Sequence, residues 1–453
     1  ACLAKEPAER PTPDALMGML AEVPAPSPRF SPAVPAQEPP AGRAGARRRR
    51  SPRGRWLAAA VVAAVLAVGG VVAWGGGHGE GRGASGPTPA GSAWRPWTAS
   101  IPPGDGGEGG DGEVRAGFCT YHGAALYCSA RGVYAARVDA ADGRVRWRFP
   151  GIATRPGGGA PSAPVVSGGL VHALSPDKRE LTAFAPENGE PRWTRDVSAH
   201  KGRVYHAGDT VLLVAADGTV TAVDGGTNKE RWRHPLPGGF RPAFVSFGGD
   251  GPAYGLAPSA DGRRTQVVAV DPVSGAVRWQ WTADGALTAV GTGPGGVLYL
   301  TEAAADTRVV AVVRYDPAAR RAVRVPLVAP VFATSAVARG ERVFVLSSDG
   351  GLTAVDTGRP AGQGWRLDTA VANASALVVD GERLYFSAAD GRLLAVDAVR
   401  GALLGTTSAR SVRAGRGYLE MLPAPVVAEG KVFAAAPDGT VFAVDGHDPG
   451  GWR

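Results

Sequence analysis

Cysteine and histidine are scarce in this chain. Its 453 residues hold three cysteines, Cys2, Cys119 and Cys128, and no C-x-x-C or Cys/His cluster has metal-ligand spacing. The seven histidines are scattered, and none forms an H-E-x-x-H array. No calcium-loop signature occurs either. These absences leave no zinc, iron or calcium site readable from the sequence. A basic binding face is missing too. The net charge is +8, but seven arginines (43, 47, 48, 49, 50, 53 and 55) crowd into one short stretch, and removing them leaves +1. That distribution argues against nucleic acid as a partner. Aromatic residues are only 7%, yet 11 of them are Trp, which marks Trp as having a repeated use.

Glycine (66) and proline (38) are abundant, as expected for a chain of many turns and linkers. The chain starts at Ala1 and not at Met, the expectation for a piece of a longer protein. Residues 1–20 contain two chain-breaking prolines and then a short helix signal, with Thr12 as N-cap and Pro13 at the first helical position. Residues 21–55 form a Pro- and Arg-rich linker that cannot bury enough apolar surface to offset chain entropy, so disorder is expected there.

Residues 56–74 read WLAAAVVAAVLAVGGVVAW, 19 residues without a charge and with Trp at each end. At 1.5 Å per residue a helix of that length covers roughly 28 Å, near the ~30 Å hydrocarbon core of a bilayer. The arginine cluster before it and the single Arg82 soon after it place the N-terminus in the cytoplasm and the rest outside. The expectation is therefore a single-pass cell-membrane protein. Residues 75–93 are a Gly-rich spacer, and residues 94–453 form one large domain.

That domain is built on a repeat whose best copies read Val-Val-Ala-Val-Asp-x-x-x-Gly-x-x-x-Trp. Asp271, Gly275 and Trp279 make one copy, Asp139, Gly143 and Trp147 another, and Ala185, Gly189 and Trp193 a third with the Asp replaced. Asp224 with Trp232 and Asp356 with Trp365 keep the end points, Asp397 keeps the turn with Gly405 in place of Trp, Asp316 marks a weak copy and Asp445 the last. The eight markers recur about every 44 residues, a period typical of four-stranded propeller blades. The Asp caps a turn, the Gly takes positive φ, the Ala two places before the Asp leaves room, and the Trp wedges between blades. Asp-Gly turns at 217, 349, 390 and 438 precede the third strand of a unit. The predicted fold is mainly β, an eight-bladed propeller preceded by one transmembrane helix. Trp97 is the favoured latch that closes the ring; Trp452 competes for that role. Cys119 and Cys128 flank a tight hairpin at Gly123-Ala124, sit opposite one another if that turn holds, and are a candidate disulfide.

This repeat resembles the pyrroloquinoline-quinone-like propeller family over about 350 residues. In quinoprotein dehydrogenases of that class the resemblance implies a vicinal Cys-Cys pair and Glu/Asn/Asp ligands for calcium. Neither is present, so no cofactor is expected and the quinone is an unfavoured one. The short N-terminal stretch resembles the end of the C-terminal lobe of bacterial Ser/Thr protein kinases, through Cys2, Leu3, Lys5, Pro7, Arg10 and Pro11. In that family the arginine matching Arg10 makes a structural ion pair. The glycine-rich loop, catalytic loop and metal-binding Asp motif are absent here, so the chain itself cannot transfer phosphate, and ATP with Mg would belong to a core outside it. The combined resemblance is to transmembrane kinases of actinobacterial type. It implies a sensor that binds an extracytoplasmic ligand or envelope protein and signals through one helix, with homodimerisation as one route. The alternatives are an envelope scaffold aiding protein assembly and, as a minor one, a quinone-dependent dehydrogenase. Ligand contacts are expected from loops, with Arg155, Arg413, Arg416 and Tyr418 as candidates.

Overall fold

The computed structural model describes residues 94–101, 117–130, 132–151, 162–359, 363–410 and 423–452. The N-terminal segments 1–20, 21–55, 56–74 and 75–93, and with them Arg10, lie outside these residues. Among the described residues no helix is long and apolar enough to cross a membrane.

Among the described residues, thirty-two short strands assemble into eight four-stranded antiparallel sheets. Seven are contiguous in sequence: residues 118–150, 165–196, 204–235, 243–284, 286–331, 333–368 and 378–406, here blades 1 to 7. The eighth combines Val426–Ala428, Lys431–Ala435 and Thr440–Asp445 with the first strand of the domain, Trp97–Ser100. Trp97 lies opposite Ala443 and Ser100 opposite Thr440. The ring is thus closed by a fourth strand lent from the N-terminal end, with Trp97 in it. The architecture is the eight-bladed, four-stranded propeller expected from the repeat.

Within every blade the strands alternate in direction. The first hairpin and the turn from third to fourth strand therefore share one rim, and the second-to-third turns and blade-to-blade connections share the other. Asp217, Asp349, Asp390 and Asp438 lie in these second-to-third turns, and each carboxylate accepts the backbone N–H two residues on. Such turns fix strand register at little cost in chain length.

The seams between blades explain the spacing of the repeat. Five markers open a five-residue turn closed by their own carbonyl: Gly143 N–H to Asp139 O, Gly189 to Ala185, Asn228 to Asp224, Gly275 to Asp271 and Gly401 to Asp397, at 2.8–2.9 Å. The Trp eight residues after the Asp lies on the fourth strand and points into the next blade. Its indole Nε1 donates to the carbonyl just past the next marker: Trp97 to Ala140, Trp147 to Pro186, Trp193 to Gly225, Trp232 to Pro272 and Trp365 to Ala398, at 2.9–3.1 Å. The indole face rests on the turn glycine of that next blade. A Cβ on Gly275 would stand 2.7 Å from the Trp232 ring, and Gly143, Gly189 and Gly401 are covered in the same way by Trp97, Trp147 and Trp365. These glycines also hold φ near +70°. Two independent constraints thus select glycine at one position. Across the strand from the indole sits the small residue: Ala183 opposite Trp193, Ala222 opposite Trp232, Ala269 opposite Trp279.

Copies that depart from the repeat are filled differently. Asn228, at φ +59°, takes the glycine position in blade 3, where its side-chain oxygen and carbonyl accept from Arg195. Trp279 packs between Tyr254 and Tyr315. In blade 5 Val323 stands at the Trp position, and the seam to blade 6 is packed with valines such as Val325, Val343 and Val355.

The indole of Trp232 is 9% exposed and fully bonded. Trp232→Ala is expected to lower the unfolding free energy by about 3–5 kcal/mol. The neighbouring Arg233→Ala, which loses only an exposed pair with Glu230, is expected to change it by less than about 1 kcal/mol. Chemical denaturation of both variants checks the contrast.

Candidate functional site

The innermost strands carry small side chains at half-buried positions, among them Val165, Val204, Ala243, Thr288, Val378 and Val426, beside larger polar ones such as Tyr121, Tyr205 and His206. No group of three or more His, Cys, Asp or Glu side chains able to hold a metal occurs among the described residues. A small cavity of about 10 Å³ lies at the seam of blades 1 and 8, lined by Gly117, Cys119, Ala424, Val426, Phe433 and Val441. Ligand pockets usually enclose roughly 300–1,000 Å³ and gather convergent polar groups. This one does neither. Among the described residues the two cysteines are bonded to each other, and the inner strands offer no acid cluster.

Cys119 and Cys128 lie directly opposite on the first hairpin of blade 1, whose tip is Gly123-Ala124, and form a disulfide with Cα atoms 4.0 Å apart. The bridge sits in the cluster that joins blade 1 to blade 8, beside Val441, Phe433 and Trp97. It joins the two innermost strands of blade 1, of which the first packs against the innermost strand of blade 8.

The marker aspartates do more than cap turns. Asp139, Asp224 and Asp271 each accept turn N–H groups and also an arginine seven residues on: Arg146 at 2.6 Å, Arg231 at 2.7 Å and Arg278 at 2.8 Å. The arginine precedes the docking Trp, so one carboxylate anchors both the turn and the start of the fourth strand. Arg231 holds the Asp224 carboxyl down to about 2, and Arg278 does the same for Asp271. The sequence reading assigned the Asp to its turn but not to this arginine; the recurring Arg-Trp pair was the available signal.

One polar cluster was not anticipated at all. At the seam of blades 2 and 3, His172 Nδ1 and His206 Nε2 are 3.1 Å apart, and His172 Nε2 is 2.9 Å from the Gly225 carbonyl. A carbonyl only accepts, so His172 carries its proton on Nε2, and His206 Nε2–H donates to His172 Nδ1. Trp193 donates to the same Gly225 oxygen and meets the His172 ring edge-on. Ser167 Oγ donates to Gly208 O, and Gly168 N–H to Asp209, across the same seam. These histidines are 34 residues apart, and no local motif links them.

Of the residues expected to matter, Trp97, Trp147, Trp193, Trp232 and Trp365 dock between blades by hydrogen bond, and Trp279 does so by ring packing. Arg155, Arg413, Arg416 and Tyr418 lie outside the described residues. The exposed large apolar side chains include Val328 (84% exposed) in the fourth strand of blade 5 and Phe332 (56%) just after that strand.

Loss of solvation pushes His172 down to about 4 and His206 well below its ordinary value. An unfolded chain protonates both below about pH 6.5, whereas the folded one does not. The unfolded state therefore binds more protons, and stability falls as pH drops from about 6.5 toward 4. Melting curves across that range are expected to show the decline, and a His172→Gln/His206→Gln variant to show a smaller one. Below about pH 4 the depressed carboxyls add a second loss, as Asp224 and Asp271 are protonated down to about pH 2, and Arg231→Gln shrinks that loss.

Comparison with known proteins matches this geometry. The family model described as "Outer membrane protein assembly factor BamB", of the PQQ-like class, matches residues 131–288 and 263–448. Similar solved structures include BamB from Moraxella catarrhalis, at 15% identity over 74% of this chain and 99% of that one, TM-score 0.51. The computationally designed Ika8 protein aligns at 16% identity over 77% of this chain and 98% of its own, TM-score 0.55. Quinohemoprotein alcohol dehydrogenase from Comamonas testosteroni aligns at 13% identity, 77% of this chain and 75% of its own, TM-score 0.51. At these identities the likeness to solved structures is one of fold. Among curated protein sequences none matches. The family match spans well over half of the chain, which therefore belongs to the PQQ-like β-propeller family described as outer membrane protein assembly factor BamB.

Proposed function

We propose that the propeller is a binding module held on the outer face of a membrane, where it serves as the sensor of a Ser/Thr kinase whose catalytic core is not in this chain. The observation that carries this reading is the order of segments. A kinase-like stretch ending at Pro11 is followed by the arginine cluster and the uncharged run 56–74, and only then by the propeller. A Cys119–Cys128 disulfide supports the outer location, because such bonds persist in oxidising compartments and not in cytosol. The rim loops would hold a ligand or envelope protein, and ligand-driven pairing of two copies would carry the signal through the single span.

A second reading has its own support. The family is described by an assembly factor, so a propeller that gathers envelope proteins without any kinase is the alternative. Two measurements separate them. Protease added outside intact cells is expected to digest the propeller, and the reading frame upstream of Ala1 to encode a kinase core. A protected propeller would end the membrane-sensor reading. An accessible propeller with no kinase core upstream would leave the scaffold. In material purified from the native compartment, Cys119 and Cys128 are expected to resist alkylation until reduced; free thiols there would remove the support for an outer location.

A further inference from the structure

The seam between blades 7 and 8 lacks the docking indole of the repeat, because Gly405 occupies the Trp position opposite Ala395. Gly405 is not required by backbone conformation, since it is absent from the positive-φ residues. It is required by a neighbour: a Cβ there would overlap the carbonyl of Pro449. Pro449 belongs to a short turn, Pro449–Gly451, that follows the last strand of blade 8 and leads to Trp452. The Trp452 indole packs against Tyr385 of blade 7, with ring centroids 6.2 Å apart, and its Nε1 donates to Asp445 O at 2.6 Å. It joins the cluster of Tyr385, Ala395, Val432 and Phe442 that fills this seam.

We propose that residues 446–452 are a detachable strap that supplies, from beyond the last blade, the indole that blade 7 does not carry. The other docking tryptophans sit within strands bonded along their length to the rest of the blade. The strap makes no strand pairing. It is held by Tyr385 Oη to Gly446 O, Arg383 to His447 O and Gly446 N–H to Gly430 O, at 2.8–3.3 Å, and by bonds within its own turn. Gly430, at φ +70°, is bare beneath the His447 ring, as Gly405 is beneath Pro449. Two glycines on two blades are thus shaped to one short segment. Its release would uncover a groove over Gly405, beside Tyr385 and Leu404, with room for an indole carried at the repeat position of blade 7.

The test uses hydrogen exchange and a paired substitution. In the wild-type protein the amides of 446–452 are expected to exchange at least tenfold faster than those of Thr440–Asp445. Trp452→Ala is expected to lower the thermal midpoint by roughly 3–6 °C, and adding Gly405→Trp to that variant, which restores the indole in its repeat position, to recover most of the loss. Strap amides exchanging as slowly as the last strand would overturn the proposal. So would a double variant no more stable than Trp452→Ala alone, since the groove would then not accept an indole from blade 7.

Discussion

The structure depends on one contact made again and again: an indole laid on a bare glycine, its N–H given to the carbonyl beside it in the next blade. That contact needs three things at fixed separations. The turn must present its carbonyl outward, the glycine must lack a side chain and hold positive φ, and the Trp must arrive from the blade before. The turn of Asp139 and Gly143 meets all three with Trp97 arriving from blade 8, and Trp147 makes the same contact on Gly189 of blade 2. A blade has two broad apolar faces, and a large planar ring buried between them contributes both area and direction. Because the hydrogen bond reaches a single carbonyl, it also sets how far one blade is turned from the next.

The same contact explains how the ring is completed and where it is least regular. Closure borrows Trp97–Ser100 from the N-terminal end, so that anything carried before Trp94 attaches beside the 8/1 seam and its Cys119–Cys128 bridge. Where indoles are missing, the sequence substitutes valines between blades 5 and 6 and a segment from beyond blade 8 between blades 7 and 8. On one rim the third-to-fourth turns are held by the glycines and carbonyls they present to the indoles. The blade-to-blade connections on the other rim carry none of these docking glycines and can vary without loss of the wheel, which is what a binding scaffold requires. The proposed sensor role uses that freedom.

What was legible in the sequence was whatever the repeat encodes locally. Asp271, Gly275 and Trp279 lie within nine residues, so their turn, strand and blade are visible as one pattern, and eight such patterns at an even period point to a closed ring. The closing strand was also legible, because Trp97-Thr98 resembles a fourth strand without a blade. Contacts between blades were not. His172 and His206 meet only because blade 3 follows blade 2 in space, and nothing near either residue marks the other. Arg231 reaches back to Asp224 across a turn whose geometry the spacing alone does not convey. Gly405 read as a lost Trp, while the reason for a glycine lay at Pro449, 44 residues on in the chain. The candidate ligand residues rest on loop position alone and lie outside the described residues.

The most direct test of the account is residue-level hydrogen exchange on Trp97→Ala. If docked indoles seal blade to blade, protection is expected to fall in blades 8 and 1, on both sides of the lost contact, while blades 3 to 5 keep theirs. Loss confined to residues 97–100, or spread evenly around the ring, would contradict it.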